Sequence, residues 1–320
     1  MTWRPSSGIA VARQRADMLE RARRFFRDRD VLEVDTPALG HCAASDPNIE
    51  SLHVAGPREA ALYLQTSPES FMKRLLADGY PDIFGICRVF RGGEAGRLHR
   101  PEFTMVEWYR QDFGLDAMIG ETVAFVAELL DRSDLRDAEQ LEYRHALQRF
   151  AGIDPFEASI DELAEAASAD AGLRDSLGAD RDAWLDLLLS TRVAAGFADN
   201  RLTVVRHFPA SQAALARMCP SDDSVADRFE VFYGAMELAN GFVELRDPDE
   251  QRQRMLADLE KRHATARPPV PLDEPLLAAL ESGLPECAGV AAGFERMLML
   301  ATGADDIRDV VTFAFDGNTD

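Results

Sequence analysis

The chain has 320 residues, of which 46% are hydrophobic and 28% are charged, and its formal net charge at pH 7 is −21. This composition is typical of a soluble globular protein with a sizeable core. The acidic excess argues against a broad nucleic-acid-binding surface, because phosphate contacts need clustered Lys and Arg side chains, but it is compatible with a local basic pocket.

The sequence indicates neither a membrane protein nor a disulfide-rich one. No apolar run reaches the roughly 18 residues that a membrane-spanning helix needs, and the start, "MTWRPSSGIA", lacks a signal-peptide core. The four cysteines lie far apart and form no CxxC pair, which predicts buried free thiols rather than a disulfide framework or a zinc site. We therefore expect a cytoplasmic protein with no membrane contact.

The first predicted element is an amphipathic helix over residues 12–29, with arginines covering its polar surface. The segment "VLEVDTPAL" follows and predicts a short strand that ends near Pro37. The hydrophobic face of the helix is formed by Met18, Ala22, Phe25 and Phe26.

A β-hairpin is predicted next, with a strand around 84–91, a Gly-rich connection and a strand around 102–110. In "FRGGEAGRLHRPEFTMVEWYR", residues 90–110, period-two alternation puts an aromatic ring, a carboxylate and a phenol on one face. The ring suits a planar base, and the carboxylate beside the phenol suits a cation. An exposed hairpin with mixed charges is the alternative. The face consists of Phe103, Met105, Glu107 and Tyr109, and the cations of the connection that suit phosphates are Arg91, Arg97, His99 and Arg100.

The middle of the chain predicts a helical scaffold. Residues 116–200 are rich in Ala and Leu, and "SIDE" at 159–162 has the spacing of a capping box. Another helix is predicted to begin after Asp247, with Pro248 in its first position and Glu250 at N3. No composition shift or internal repeat marks a second domain, so we expect one compact domain of helices and antiparallel sheet over residues 1–320.

Three glutamates at intervals of seven residues, Glu230, Glu237 and Glu244, form a second candidate constellation. Seven residues make about two helical turns, so a helix with one acidic face is one interpretation. Gly234, Gly241 and the neighbouring aromatic and β-branched residues favour two strands instead.

The strand interpretation predicts a metal site. If Tyr233–Gly234 is a two-residue hairpin loop, Glu230 lies directly opposite Glu237, with Cβ atoms about 5 Å apart. Two carboxylates at that distance repel each other unless a cation lies between them, and Mg²⁺ is the natural candidate. A bulge at Asn240–Gly241 would turn Glu244 to the same face.

The third constellation is "GVAAGFERMLMLATGADDIRDV", residues 289–310. Its glycines allow a ligand to approach the strand backbone closely, and a helix that begins near Phe294 presents Arg296 in its first turn. Simple helix packing is the alternative. With the two earlier constellations, the segment predicts the third wall of one nucleotide pocket.

Together these segments resemble the three signature motifs of the class II aminoacyl-tRNA synthetases, and most of all the lysyl-tRNA synthetase catalytic domain. "VLEVDTPAL" resembles motif 1, the 90–110 segment motif 2 and "GVAAGFERMLML" motif 3, while "TSPESFMKRLL" and "MELANGFVEL" are similar to the lysine-binding segments. The resemblance runs from about residue 10 to the C-terminus. It implies an α+β fold, with an antiparallel β-sheet flanked by helices.

The chain starts directly at this catalytic domain, without the N-terminal anticodon-binding OB domain of lysyl-tRNA synthetases. Together with "YRHALQRFAGIDPF" and "RHFPASQAALAR", this makes it resemble a family of synthetase paralogues, the elongation factor P–(R)-β-lysine ligases. The resemblance implies an AMP-forming enzyme that uses ATP to activate (R)-β-lysine or lysine and transfers it to a lysine of elongation factor P. It further implies Mg²⁺ as cofactor, no tRNA partner, and a homodimer formed through motif 1. Aminoacylation of tRNA and a catalytically dead lysine-sensing module stay open as alternatives.

The resemblance also implies roles at the ATP end. Arg91 would hold the α-phosphate and the amino-acid carboxylate, and with Arg296 it would be catalytic. His99 and Arg296 would contact the γ-phosphate, and Phe103 would stack on adenine. Glu230 and Glu237 would ligate Mg²⁺. The further implied ATP-binding positions are Gly92, Gly93, Arg100, Glu237, Leu238 and Gly293.

At the substrate end, Ser67 and Glu69 would lie at the α- or β-amino group. Glu107, Tyr109 and Glu244 would bind the distal ammonium. The further implied substrate-binding positions are Pro68, Asn240 and Ala291.

Four positions depart from the lysyl-tRNA synthetase pattern. Gly92 and Gly93 replace Asn and Glu, with the glutamate displaced to Glu94, and Arg100 replaces an asparagine. We therefore expect backbone groups of the glycine pair, or Glu94, to make the contact on the adenine side. Ala291 replaces the middle glycine of motif 3, and its methyl group is expected to disfavour α-lysine relative to β-lysine.

Overall fold

A computed structural model describes residues 3–55 and 61–314 of the chain. The strands in these residues are β1 (Leu32–Glu33), β2 (Leu39–Gly40), β3 (His53–Ala55), β4 (Ala61–Leu64), β5 (Ile83–Phe90), β6 (Glu102–Gln111), β7 (Glu139–Glu142), β8 (Leu202–Pro209), β9 (Met218–Cys219), β10 (Asp222–Tyr233), β11 (Met236–Val243) and β12 (Cys287–Gly293). The helices are α1 (Ile9–Arg27), α2 (Glu69–Ala77), α3 (Leu115–Leu129), α4 (Tyr143–Ala151), α5 (Ile160–Ala166), α6 (Ala171–Leu177), α7 (Arg181–Leu188), α8 (Pro248–Ala264), α9 (Glu274–Gly283) and α10 (Phe294–Thr302).

The chain forms two compact units. Leaving aside residues outside the described ranges, unit 1 comprises Met1–Asp112, Glu128–Asp131 and Arg246–Asp320, and unit 2 comprises Phe113–Ala127 and Arg132–Leu245. The expectation that residues 1–320 act as a single catalytic domain stays a prediction.

Unit 1 is built on a sheet of β1, β5, β6 and β12, in that order. β1 runs parallel to β5, whereas β5–β6 and β6–β12 are antiparallel. The predicted hairpin is confirmed, since its strands span 83–90 and 102–111. A small antiparallel sheet, in the order β2-β4-β3, belongs to the same unit.

The hydrophobic face of α1 is confirmed, because Met18, Ala22 and both phenylalanines are buried. Phe26 stacks on Phe84 of β5, with ring centroids 4.4 Å apart, and lies 5.3 Å from Trp108 of β6. The helix begins at Ile9, earlier than predicted. The following strand is shorter than predicted and ends at Glu33, with one further backbone hydrogen bond from Val34 to Phe84.

Unit 2 has a sheet of β11, β10, β8 and β7, with β9 paired to β10. β7 is parallel to β8, and the other pairs are antiparallel. Helices α4, α5 and α7 enclose a hydrophobic core that includes Tyr143, Trp184 and Phe208. The predicted capping box is confirmed, because Ser159 and Glu162 exchange side-chain-to-backbone hydrogen bonds.

Sequence-based predictions were also made for the N-cap of α8, for the cysteines and for membrane-spanning helices. Asp247 caps α8 as predicted, with its side chain accepting hydrogen bonds from the backbone N–H groups of Asp249 and Glu250. All four cysteines are free thiols, but only Cys287 is buried and the other three are half-buried. Among the described residues, no helix combines the length and apolar composition that crossing a bilayer requires.

Candidate active site

The arginine that follows β5 lies beside the aromatic ring of β6. Arg91 continues the hairpin ladder by donating its backbone N–H to the carbonyl of Pro101 (2.8 Å). Its guanidinium carbon lies 5.3 Å from the centroid of the Phe103 ring, and its Nε donates to the carbonyl of Thr66 (3.3 Å). A cation and an aromatic plate are therefore presented together, as binding of a nucleotide requires.

Close packing against Glu50 and a left-handed backbone conformation explain why glycine occupies the two positions after Arg91. A Cβ atom at Gly92 would lie 2.9 Å from Cγ of Glu50, so an asparagine there would displace the Glu50 side chain. Gly93 has a φ of +74°, in the left-handed region that favours glycine. The N–H of Gly92 donates to the backbone carbonyl of Glu50 (2.7 Å), and Glu94 lies 3.8 Å from Arg91. That N–H group is thus already hydrogen-bonded, which disfavours it as the predicted adenine contact.

The motif 2 connection meets the helix that follows β12. Nη2 of Arg296 lies 2.8 Å from Nε2 of His99, and Nε of Arg296 donates to the carbonyl of Leu98 (3.4 Å). Arg97 anchors the connection by donating to the carbonyl of Asp305 (3.0 Å), and Arg100 is buried. The cationic groups predicted for the polyphosphate thus share one region of unit 1.

A buried carboxylate fixes β6 against α10. Glu295, only 1% exposed, accepts hydrogen bonds from the backbone N–H (2.7 Å) and the hydroxyl (2.8 Å) of Thr104. Arg15 of α1 completes the group at 2.9 Å from Glu295. Because Thr104 adjoins Phe103 and Glu295 adjoins Arg296, this network sets the relative positions of these two predicted ATP ligands.

On the face of β6 that is predicted to bind the substrate, a second carboxylate is buried. Glu107 is 2% exposed, and it accepts hydrogen bonds from the hydroxyls of Ser67 and Tyr109, each at 2.8 Å. Burial, and secondly the charge of Glu69, raise the pKa of Glu107 to about 7. An ionised carboxylate only accepts hydrogen bonds, so this arrangement is suited to a bound cation.

A buried ion pair in α2 was missed by sequence reasoning. Nζ of Lys73 lies 2.6 Å from Oε1 of Glu69, and the Lys73 side chain is 1% exposed. Pro68 and Ser67 precede the helix, and the Ser67 hydroxyl accepts the Glu69 N–H (3.0 Å). The i,i+4 spacing in "ESFMK" was the available signal. Lys73 holds the Glu69 carboxylate in place and partly neutralises it.

The position of Ala291 follows from the register of β12 and β6. Ala291 is the direct cross-strand partner of Glu107, so the two side chains lie on one face of the sheet. The flanking positions on that face are Gly289 and Gly293, which pair with Tyr109 and Met105. Among these three β12 positions, Ala291 is therefore the one that adds a methyl group next to the buried carboxylate.

In unit 2, β10 carries a buried acidic group beside an arginine. Nη2 of Arg228 donates to Oε1 of Glu230 (2.6 Å), and its Nε donates to Oδ1 of Asn240 (3.3 Å). Burial, and secondly the charge of Glu237, raise the pKa of Glu230 to about 7, while Arg228 opposes the rise. Sequence reasoning missed Arg228, although its i,i+2 spacing from Glu230 was a signal.

The predicted register of the β10–β11 hairpin is wrong. Tyr233 pairs with Met236, so the turn is Gly234–Ala235 rather than Tyr233–Gly234. Gly234 supplies the positive φ of 52° that the turn requires. As a result, Glu230 lies opposite Asn240 rather than Glu237, which itself pairs with Phe232.

The predicted bulge is at the wrong position. The register shifts between Val231 and Phe232, where Leu238 is the additional residue on β11, whereas Asn240 and Gly241 are regularly paired. The additional residue brings Glu237 and Asn240 to the same face, and two-residue alternation from Asn240 carries that face to the buried Glu244. The acidic face was thus predicted correctly, for a partly wrong reason.

The fold and these segments define a class II aminoacyl-tRNA synthetase catalytic domain, in which an antiparallel sheet is flanked by helices. The family model "tRNA synthetases class II (D, K and N)" matches residues 1–317. The elongation factor P–(R)-β-lysine ligase of Klebsiella pneumoniae (strain 342) is 44% identical over 321 residues, covering 98% of each chain. The proteins of the same name from Photorhabdus laumondii and Sodalis glossinidius are each 45% identical, covering 98% of this chain and 97% and 98% of their own. The chain therefore belongs to the family of the elongation factor P–(R)-β-lysine ligases.

The raised pKa of Glu107 generates a prediction about stability. The pKa rises from 4.5 to about 7, so between these pH values the folded state keeps a proton that the unfolded state has lost. The contribution of Glu107 to the free energy of unfolding therefore falls as pH rises through this range, by up to about 3 kcal/mol. We expect Glu107→Gln to be as stable as the wild type near pH 4.5, and more stable at pH 8 by about 1–3 kcal/mol.

Urea denaturation at the two pH values measures this difference. Glu102→Gln, an exposed carboxamide substitution on the same strand, is the matched control and should follow the wild type at both pH values. If the free energy of unfolding changed with pH in the same way for the wild type and Glu107→Gln, the pKa of Glu107 would not be raised in the folded protein.

Proposed function

We propose that this protein uses ATP to activate (R)-β-lysine as an aminoacyl adenylate and then transfers it to a lysine side chain of elongation factor P. The single observation that carries the proposal is the buried Glu107 with its two hydroxyl partners, Ser67 and Tyr109. This group is suited to a cationic side chain, whereas an aspartate-specific site would need an arginine. The shared name of the relatives from Klebsiella pneumoniae and Photorhabdus laumondii supports the β-lysine substrate and the protein acceptor.

In the first step, a carboxylate oxygen of β-lysine attacks the α-phosphorus of ATP, and the bond to the β-phosphate oxygen breaks to release pyrophosphate. Arg91 would hold the α-phosphate and the attacking carboxylate, while His99 and Arg296 would hold the γ-phosphate. Support comes from the Arg91–Phe103 and Arg296–His99 contacts. These groups would act by positioning and charge stabilisation, because attack at a phosphorus atom of ATP requires little covalent chemistry from the protein.

Glu230 and Glu237 are the residues we propose for Mg²⁺. The donor set fits the ion, because the repulsion that helps to raise the pKa of Glu230 is relieved by a divalent cation, and the Arg228 ion pair uses only Oε1 of Glu230. When bound, Mg²⁺ neutralises charge on ATP phosphates.

In the second step, the amine of the target lysine attacks the activated carbonyl carbon, forming an amide bond and releasing AMP. We assign no protein side chain as general base. The phosphate of the departing AMP would take the proton from the attacking nitrogen.

The reaction is tested with purified protein, Mg²⁺ and ATP, by ATP–pyrophosphate exchange with each lysine isomer. Elongation factor P and tRNA are then offered separately as acceptors. We expect exchange that depends on (R)-β-lysine, and a mass increase of elongation factor P by one lysyl residue.

Arg91→Ala should lower kcat by about 10²–10³-fold, because a donor to the transition state is lost. Arg174→Ala, an exposed arginine of α6, should leave kcat unchanged.

The outcomes separate the alternatives. Charging of tRNA without modification of elongation factor P would identify a tRNA synthetase. Lysine binding without any exchange would identify a sensing module.

Ala291 generates a prediction about selectivity. Its methyl group adjoins Glu107, so Ala291→Gly should reduce the preference for β-lysine over α-lysine by about 10-fold or more in kcat/KM. Ala292→Gly is the matched control, because it also removes a methyl group from β12, but on the opposite face of the sheet. Equal selectivity in the wild type and Ala291→Gly would exclude the methyl group as the determinant.

We further propose a homodimer. Support comes from exposed hydrophobic side chains in motif 1 and in the segment before it, where Leu32 is 46%, Ile9 73% and Trp3 84% exposed. Such side chains together suit an interface with a second copy. Ile9→Asp should shift the dimer to monomer in sedimentation analysis, while Leu256→Asp, at a site of α8 that is 46% exposed, should not. A monomeric wild type at micromolar concentration would contradict the proposal. The cytoplasmic location stays a prediction.

A further inference from the structure

A second cluster of reactive side chains lies in unit 2, and none of its residues has been assigned a role above. His207 of β8, Cys219 of β9 and Asp227 of β10 present ring nitrogen, sulfur and carboxylate oxygen atoms that all lie within 4.8 Å of one another. The strand pairing brings them together, because Ala226 of β10 pairs with Phe208 of β8 and also with Met218 of β9. The three residues adjoin these partners in sequence. Both ladders shift register here, so the cluster lies at an irregularity in the sheet.

The ring of His207 is held in a fixed orientation. Its Nδ1 lies 2.6 Å from Oε2 of Glu142 on β7, and its Nε2 points towards Oδ1 of Asp227 at 3.7 Å. A carboxylate on one ring nitrogen, with the other nitrogen directed at further donor atoms, is the usual outer-shell arrangement of a metal-binding histidine. His207 also has a φ of +57°, an uncommon conformation for a residue other than glycine.

The other two side chains are arranged compatibly. Asp227 is buried, and its Oδ2 accepts a hydrogen bond from Nε of Arg217 (2.9 Å), which leaves Oδ1 on the side of His207. Cys219 is half-buried, and its sulfur lies 3.3 Å from the hydroxyl of Ser221. Each of the three residues can therefore supply one donor atom while keeping its present partner.

We propose that His207, Cys219 and Asp227 form a binding site for one divalent transition-metal ion of the zinc type, through Nε2, Sγ and Oδ1. Nitrogen, thiolate and carboxylate donors suit Zn²⁺ and do not suit Mg²⁺, so this site is distinct from the Glu230–Glu237 pair. Bonds of about 2.0–2.3 Å in tetrahedral geometry require donor atoms roughly 3.3–3.8 Å apart, so movements on the order of 1 Å close the site. The fourth position is open to water. The thiol and the imidazolium release their protons to solvent on binding.

The ion would have a structural role. It would join β8, β9 and β10, and thereby fix the short β9 strand, which has only two residues. Without a metal, the Asp227 and Glu142 carboxylates raise the pKa of His207 to about 9, and the imidazolium ion then supplies the positive charge between them. A purely ionic His207–Asp227–Glu142 cluster is the competing arrangement, and it does not require Cys219.

Metal titration of the chelator-treated full-length chain, with Mg²⁺ present in excess, tests the proposal. We expect one equivalent of Zn²⁺ to bind by calorimetry, a rise in Tm on binding, and a thiolate-to-cobalt charge-transfer band when Co²⁺ replaces Zn²⁺. Cys219→Ser should abolish the charge-transfer band, and His207→Gln should abolish the binding of Zn²⁺. Glu142→Gln should weaken binding by about 10–100-fold, since it removes only the outer-shell partner.

The controls are Cys42→Ser, which removes another half-buried thiol, and Glu237→Gln, which alters the proposed Mg²⁺ pair. Both should bind Zn²⁺ like the wild type. Circular dichroism verifies that each variant is folded before its result is used. Failure of the wild type to bind Zn²⁺, or stoichiometry and affinity unchanged by Cys219→Ser and His207→Gln, would overturn the proposal. The latter outcome would identify an adventitious surface ion only.

Discussion

The buried carboxylate of Glu107 is the constraint on which the proposed chemistry of unit 1 depends. Removing an ionised carboxylate from water is costly, and two hydroxyl hydrogen bonds from Ser67 and Tyr109 offset only part of that cost, so the pKa of Glu107 is raised to about 7. A cationic substrate would supply the missing stabilisation. The proposed selectivity for a positively charged side chain and the predicted loss of stability as pH rises thus have one physical cause.

The proposed phosphate-binding side of unit 1 is organised by buried polar contacts rather than by the cations themselves. Glu295 connects α10 with the β6 backbone at Thr104, and Arg15 connects α1 with the same group. Arg296 adjoins Glu295 in α10, so these contacts fix its position, and Arg296 in turn contacts His99. This arrangement suits catalysis by positioning, because preorganised cations need little rearrangement when charge develops on the phosphates.

Unit 2 contains two clusters of charged side chains with different electrostatics. On β10 and β11, Glu230 is buried near Glu237, whose charge helps to raise the pKa of Glu230, and Arg228 opposes this rise. At β8, β9 and β10, His207 lies between two carboxylates, where a positive charge is already present. The first arrangement suits the proposed Mg²⁺ ion, whereas in the second the His207 imidazolium has to lose its proton before the proposed structural ion can bind.

The sequence by itself determined the elements whose signal is local. The buried face of α1, the β5–β6 hairpin with Glu107 and Tyr109 on one side, and the Asp247 cap all follow from periodicity and capping chemistry, which depend on residues within a few positions of each other. Only the tertiary structure decided the β10–β11 register, because a positive φ at Gly234 and a bulge at Leu238 fix it. The same holds for contacts between residues distant in sequence, such as Glu50 against Gly92 and His207 with Cys219. Their partners are chosen by strand pairing and packing, for which no single segment carries a pattern.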